Sequence, residues 1–185
     1  MRTTDDNPTA QTYCSILPRD FHEVKSHIQE VSFSALAGSK YFTTLDHASG
    51  YHQIAMDPKD QDKTAFTTPF SFFEYTRMPF SLTGAPATFQ RLMNGVMSDF
   101  LFSFLLVYLD HLLTFSESFD NHLQHLEVLK KICDSGLKLN LEKCKLLRPE
   151  VSYIGHTISA IGVSCQDEKT EAVQKWPVPR TTKEL

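Results

Sequence analysis

The chain has 185 residues, 41% of them hydrophobic, enough for one packed domain or a large piece of one. Its 18 basic and 22 acidic residues leave a formal charge of −4, so no overall positive field marks a nucleic-acid binder, and any such contact must come from a local patch or from sequence beyond this chain. The polar N-terminus MRTTDDNPTAQTYC is no secretory leader, the apolar run FLLVYL is too short to span a bilayer, and Cys14, Cys133, Cys144 and Cys165 lack paired or metal-finger spacing, all of which describes a soluble intracellular chain, in cytoplasm or nucleus, with reduced thiols.

Residues 1–15 read as a disordered tail. Phe21, Val24, Ile28, Val31 and Leu36 then recur at roughly helical spacing, with Gly38 as the stop. KYFTTLD predicts a strand ending at Asp46, and YHQIAMD a second one across the turn HASG. KTAFTTPFSFFEYTRMPF is rich in Thr, Phe and Tyr and predicts a hairpin turning near residues 69–71. From Pro86 onward, Phe89, Leu92, Met93, Val96, Met97 and Phe100 fall on one helical face. FSFLLVYLDHLLTFS predicts another hairpin. A helix begins near Asp120 or Asn121, buries Leu123, Leu126, Leu129 and Ile132, and stops at Gly136. LKLNLEKCKLL alternates like a half-buried strand, VSYIGHTIS reads as another, and a short helix over 167–176 leads to PVPRTTKEL, where Thr181 or Thr182 with Glu184 resembles a helix cap. Antiparallel strands mixed with helices make an α+β domain.

Asp110 and His111 interrupt an otherwise apolar hairpin, and Asp46 ends a different strand beside a turn. A lone carboxylate desolvated at such a place costs several kcal/mol unless a cation meets it. Two carboxylates at adjacent strand ends suit divalent, oxygen-seeking metals that activate a hydroxyl and stabilise a leaving phosphate oxygen. Each aspartate taken singly also reads as an ordinary turn residue.

The strings TTLDHASGYHQIAMDPKDQDKTAFTTP, MPFSLTGAPATFQRLMN, VYLDHLLTFSESFDNHLQHLEVL and GLKLNLEKCKLLRPEVSYIGHTISAIGV follow one another in this order. Together they resemble the reverse transcriptase of gypsy-type LTR retrotransposons over residues 16–185. The resemblance implies a polymerase palm, an antiparallel sheet backed by helices, with partial fingers and the start of the thumb side. It implies RNA-directed DNA polymerase activity, a nucleotidyl transfer onto a primer 3′-hydroxyl with two Mg²⁺ ions, an RNA/DNA template–primer and dNTPs. By the same resemblance Asp46 and Asp110 are the metal-binding aspartates, and the backbone carbonyl of His47 is a further ligand. Tyr51 packs under the incoming sugar. Phe80 through Gln90, with Ser81 and Pro86 among them, shape the nucleotide pocket. Tyr153, Ile154, Gly155 and His156 form the hairpin that seats the primer end. Lys63 and Arg77 are weaker candidates for phosphate contact.

The match breaks at His111, where the family has a second adjacent aspartate. Magnesium prefers hard oxygen ligands and imidazole does not replace one. A loss of about 3–4 kcal/mol of charge stabilisation slows turnover hundreds-fold, so catalysis is expected to be impaired or lost. Ser81 stands where the family usually has glycine, Gly84 where it has asparagine, and the basic strand before LPR is missing. Thumb, connection and ribonuclease H regions would lie beyond Leu185, which points to a fragment or decayed copy of an element-encoded polyprotein. The alternative to an active polymerase is thus an inactive relict keeping some nucleic-acid or protein binding. A third reading, a zinc-binding or hydrolytic domain, rests on His122 and His125 three apart on a helix, without a third ligand at fitting spacing.

Overall fold

The computed structural model describes residues 34–166. In chain order these hold β1 (Tyr41–Asp46), β2 (Phe66–Thr67), β3 (Phe72–Phe73), α1 (Ala85–Val96), β4 (Leu105–Tyr108), β5 (His111–Ser116), α2 (Phe119–His125), α3 (Glu127–Asp134), β6 (Lys145–Arg148), β7 (Glu150–Tyr153), β8 (His156–Ser159) and β9 (Gly162–Cys165). The expected tail 1–15, most of the first helix and the helix over 167–176 lie outside the described residues.

The main sheet runs β4-β5-β1-β6 and is antiparallel throughout, so β1 is a central strand. Leu105 and Leu112 face Phe89 and Met93 of α1, Met97 at its C-terminal cap, and Val128 and Ile132 of α3. Leu106 and Leu113, one residue along each strand, face Val151 and Tyr153 of β7 and Ile158 of β8. Alternate side chains thus enter two separate cores, which explains why these strands read as unbroken apolar runs rather than alternating ones. Leu112 and Leu113 are both fully buried, each burial contributing about 1.5–3 kcal/mol. The second layer is the three-stranded sheet β7-β8-β9.

Helix α1 starts as the sequence predicts, with Pro86 in its first turn and Phe89, Met93 and Met97 buried at successive turns, although Leu92 stays exposed. The helix expected from 120 to 136 begins earlier, capped by Ser118, whose hydroxyl accepts from the Asn121 N–H at 3.2 Å. It breaks at Leu126 into α2 and α3 and stops at Gly136 in left-handed conformation (φ 71°), with Leu137 N–H donating back to the Ile132 carbonyl at 3.2 Å.

Three strand expectations need correction. YHQIAMD opens as a tight 3-10 turn, Gly50–Gln53, and only its second half is extended, with Met56 N–H donating to Thr76 and Met78 N–H to Ile54. The cause is the Tyr51 ring, drawn against Phe80 and Phe89. LKLNLEKCKLL pairs first through a lone bridge, Leu139 to His47, and becomes a full strand only at Lys145, because the Asn140 carbonyl turns the chain by accepting from the Lys143 and Cys144 N–H groups. VSYIGHTIS is two strands, folded at Ile154 (φ 47°) and Gly155 (φ 79°), the paired positive angles of a tight hairpin turn.

Candidate functional site

The β1/β5 register sets Asp46 directly opposite His111, and the β4–β5 hairpin closes with Tyr108 opposite His111, leaving Leu109 and Asp110 as its two loop residues. Leu109 takes φ 52°, an angle usually left to glycine at this point of a two-residue hairpin, at a cost of about 1–2 kcal/mol. Neighbours hold the turn there. The Gln90 side chain of α1 accepts from Leu109 N–H at 2.7 Å and donates to the Val107 carbonyl at 3.3 Å. From the other side His47 donates its main-chain N–H and its ring Nδ1–H to the Asp110 carbonyl, both at 3.1 Å. A carbonyl only accepts, so the Nδ1–H form of the ring is fixed. His47 is buried edge-on to Phe89, and burial pushes its pKa down despite the nearby Asp110 and Asp46. Gly50 packs below the turn: a Cβ there would meet the Phe89 ring at 2.9 Å and Asp110 Cβ at 3.4 Å.

The carboxylates converge. One ligand atom from each of Asp46, Asp110 and His111 lies within 4.8 Å of the others. Asp46 is nearly buried, with Oδ2 at 3.0 Å from His111 Nδ1 and Oδ1 at 3.6 Å from Lys143 Nζ. On its far side the same imidazole presents Nε2 to Asp110 Oδ1 at 3.8 Å. The ring therefore stands between two acids. Two carboxylates beside an imidazole can hold a divalent cation, yet a magnesium pair wants oxygen where this chain offers nitrogen, so the residues present do not fit that pair.

Around this centre the other sequence-predicted residues fall into two groups. The Tyr51 ring meets Phe80 and Phe89 edge-on at 5.7 and 5.6 Å, and burial, with Asp110 and Tyr108 nearby, raises its phenol pKa. Tyr153 is buried and points its hydroxyl at the His111 carbonyl, 3.5 Å away, its phenol also raised by burial. A cavity of about 430 Å³ joins Asp46 and His111 to Lys143, Tyr153, Ile154 and Gly155. Ser81 instead lies on the exposed approach to α1, at φ 76°, Pro86 is exposed in the first turn of α1, and His156 starts β8.

Lys143, the Gln90 brace, the His47 ring and Gly50 escaped sequence reasoning. The resemblance names Gln90 for the nucleotide pocket and His47 only through its backbone carbonyl, and Gly50 lies in the turn HASG between Asp46 and Tyr51. Arg77 donates to the Gln53 carbonyl at 2.9 Å and Lys63 pairs with Asp60, so both weaker phosphate candidates serve their own chain. His122 is turned inward from its helix. It is fully buried, bonded to Thr43 Oγ1 at 2.8 Å and Ser116 Oγ at 2.9 Å, and burial, reinforced by His125, lowers its pKa. His125 Nδ1 meets the same Ser116 hydroxyl at 2.6 Å, which leaves the pair committed to hydroxyls rather than to zinc.

Residues 8–158 match the family model described as reverse transcriptase (RNA-dependent DNA polymerase). The chain belongs to the reverse transcriptase family. It is 43% identical over 151 residues to the Retrovirus-related Pol polyprotein from transposon 297 of Drosophila melanogaster, covering 81% of this chain and 14% of that protein. It is 36% identical over 145 residues to the corresponding polyprotein from transposon gypsy of the same organism, covering 78% and 14%. Among solved structures, the foamy viral protease-reverse transcriptase in complex with RNA/DNA hybrid superposes with a TM-score of 0.73 at 29% identity, over 83% of this chain and 21% of that one. Its complex with dsDNA gives 0.75 at 29%, over 84% and 33%. This reverse transcriptase domain therefore spans about one seventh of the curated polyproteins it matches. Its α+β architecture is that of a partial palm, and its family uses divalent metal. Among the described residues no helix is long and apolar enough to cross a membrane.

Proposed function

We propose that residues 16–185 form the palm and partial fingers of an intracellular RNA-directed DNA polymerase, behind a short tail at 1–15, and that His111 leaves it with little of its family's activity. The observation that carries this reading is the convergence of Asp46 and Asp110 at one hairpin with an imidazole between them. In this reading the substrate is a template–primer with dNTPs and the family's ion is Mg²⁺, bound weakly. Tyr51, backed by Phe89, forms the floor beneath the sugar of the incoming nucleotide, with Phe80 beside it. Ile154 and Gly155 face Asp46 and His111 across the shared cavity, where a primer terminus would lie. Gln90 and His47 act as positioning residues, fixing the backbone of the turn that aims Asp110. Their support matters because a site displaced by about 1 Å loses roughly a hundredfold in rate.

A Mg²⁺-dependent primer extension on poly(rA)/oligo(dT) tests the proposal. The chain is expected to extend hundreds-fold more slowly than its His111→Asp variant, and strong extension by the unaltered chain would overturn the impairment. The second reading, an inactive relict that still binds nucleic acid, is favoured by the internal pairing of Asp46 with both His111 and Lys143. Silence of both proteins, with retained binding of a labelled RNA/DNA hybrid by fluorescence anisotropy, would select it.

A further inference from the structure

The imidazole at position 111 changes which ion this centre selects. We infer that Asp46, Asp110 and His111 form a mononuclear site for a borderline transition-metal dication of the Zn²⁺ class, in place of a magnesium pair. The inference rests on reading these residues as the altered metal centre of a reverse transcriptase palm.

Three observations carry it. The donor set is mixed: two carboxylates and one imidazole, with their ligand atoms inside a 4.8 Å envelope. Imidazole and carboxylate together bind zinc or cobalt well, whereas magnesium takes oxygen almost exclusively. Tetrahedral zinc, with bonds of roughly 2.0–2.2 Å, holds its ligand atoms roughly 3.4 Å apart. Asp46 Oδ2 lies 3.0 Å from His111 Nδ1, near that spacing, whereas Asp110 Oδ1 faces the opposite ring nitrogen, Nε2, at 3.8 Å, so a single ion is held once the His111 or Asp110 side chain turns to bring both acids to one nitrogen. Adjustment falls to the half-exposed side chains of His111 and Asp110, while Asp46 is nearly buried on the end of a central strand and stays put.

Second, Lys143 disfavours a further ion. Its ammonium lies 3.6 Å from Asp46 Oδ1, the oxygen turned away from His111. A second dication bridging through that oxygen would meet this positive charge head-on. The oxygen facing His111 remains available to the first ion. Third, the cavity of about 430 Å³ is lined by Asp46 and His111, though not by Asp110, and leaves room for water to reach that side of the ion and complete its coordination.

The test uses the full chain without nucleic acid. Zn²⁺ and Mg²⁺ are titrated separately by calorimetry, and Co²⁺ is followed by its visible absorption band as a readout of a nitrogen-containing, low-coordinate site. The expected result is one Zn²⁺ per chain, bound at least about tenfold more tightly than Mg²⁺. His111→Ala and Asp110→Asn should each weaken Zn²⁺ by at least about tenfold and bleach the Co²⁺ band. His111→Asp should lose the preference for Zn²⁺. Circular dichroism reports folding, and Asp110→Asn, placed in a turn, serves if His111→Ala fails to fold. Zn²⁺ binding unchanged in the folded variants would locate the ion elsewhere, on cysteines or other histidines, and overturn the inference. So would Mg²⁺ binding as tight as Zn²⁺, or no Zn²⁺ binding at all. Primer extension reports separately: a silent His111→Asp enzyme counts against the polymerase reading, while the titrations decide the ion.

Discussion

Ser81 and Leu109 both occupy left-handed backbone without being glycine, at φ 76° and 52°. Leu109 is compensated by the Gln90 bond, whereas Ser81 is exposed. Ser81→Gly is therefore expected to stabilise the fold by about 1 kcal/mol, read as a higher urea midpoint at unchanged slope. Gln90→Ala removes the acceptor from Leu109 N–H and should cost about 1–2 kcal/mol, with faster hydrogen exchange at that amide than at others in the hairpin. His122 gives a pH dependence whose sign follows from its burial. Its folded pKa lies below the ordinary 6.5, so the unfolded chain binds a proton that the folded chain refuses. Stability is full above pH 6.5 and falls as pH drops from 6.5 toward the folded value, by up to about 1.4 kcal/mol per pH unit. His47 shifts the same way. Urea midpoints between pH 8 and pH 5 should fall accordingly, and less steeply in His122→Gln; a flat profile would refute the assignment.

Among the elements, β1, the β4–β5 hairpin and α1 were legible because one local signal dominated each. A strand rich in aromatic and β-branched residues before the turn HASG, a doubly apolar run and a helical stripe behind Pro86 need no distant partner to be recognised. The segments that misled are those whose shape is imposed from elsewhere. Tyr51 follows Phe80 and Phe89 into a 3-10 turn, and Asn140 bends a stretch whose alternation promised strand. The site divides along the same line. Asp46, Asp110 and His111 stand out as polar residues at strand ends, while Lys143 and the Gln90 brace become visible only once the chain is closed, being 97 and 19 residues from the groups they touch or hold. At this scale Leu112→Ala and Leu113→Ala, neighbours in sequence, open holes in different cores. Each should cost about 2–5 kcal/mol in chemical denaturation.

Across the whole molecule the two cores are not independent, since β1, β4 and β5 each contribute to both. Unfolding one face removes the strands that line the other. The chain is thus expected to melt in a single cooperative step, with far-ultraviolet circular dichroism and tyrosine fluorescence giving coincident curves; two separated transitions would show that the faces unfold apart.

The pairing that seats residue 111 across from Asp46 is made by main chain, not by the imidazole. Histidine and aspartate codons differ only in their first base. On the proposal that this centre is an impaired polymerase site, a lone C-to-G change would place a third acid at the same position of the strand register, with no refolding needed.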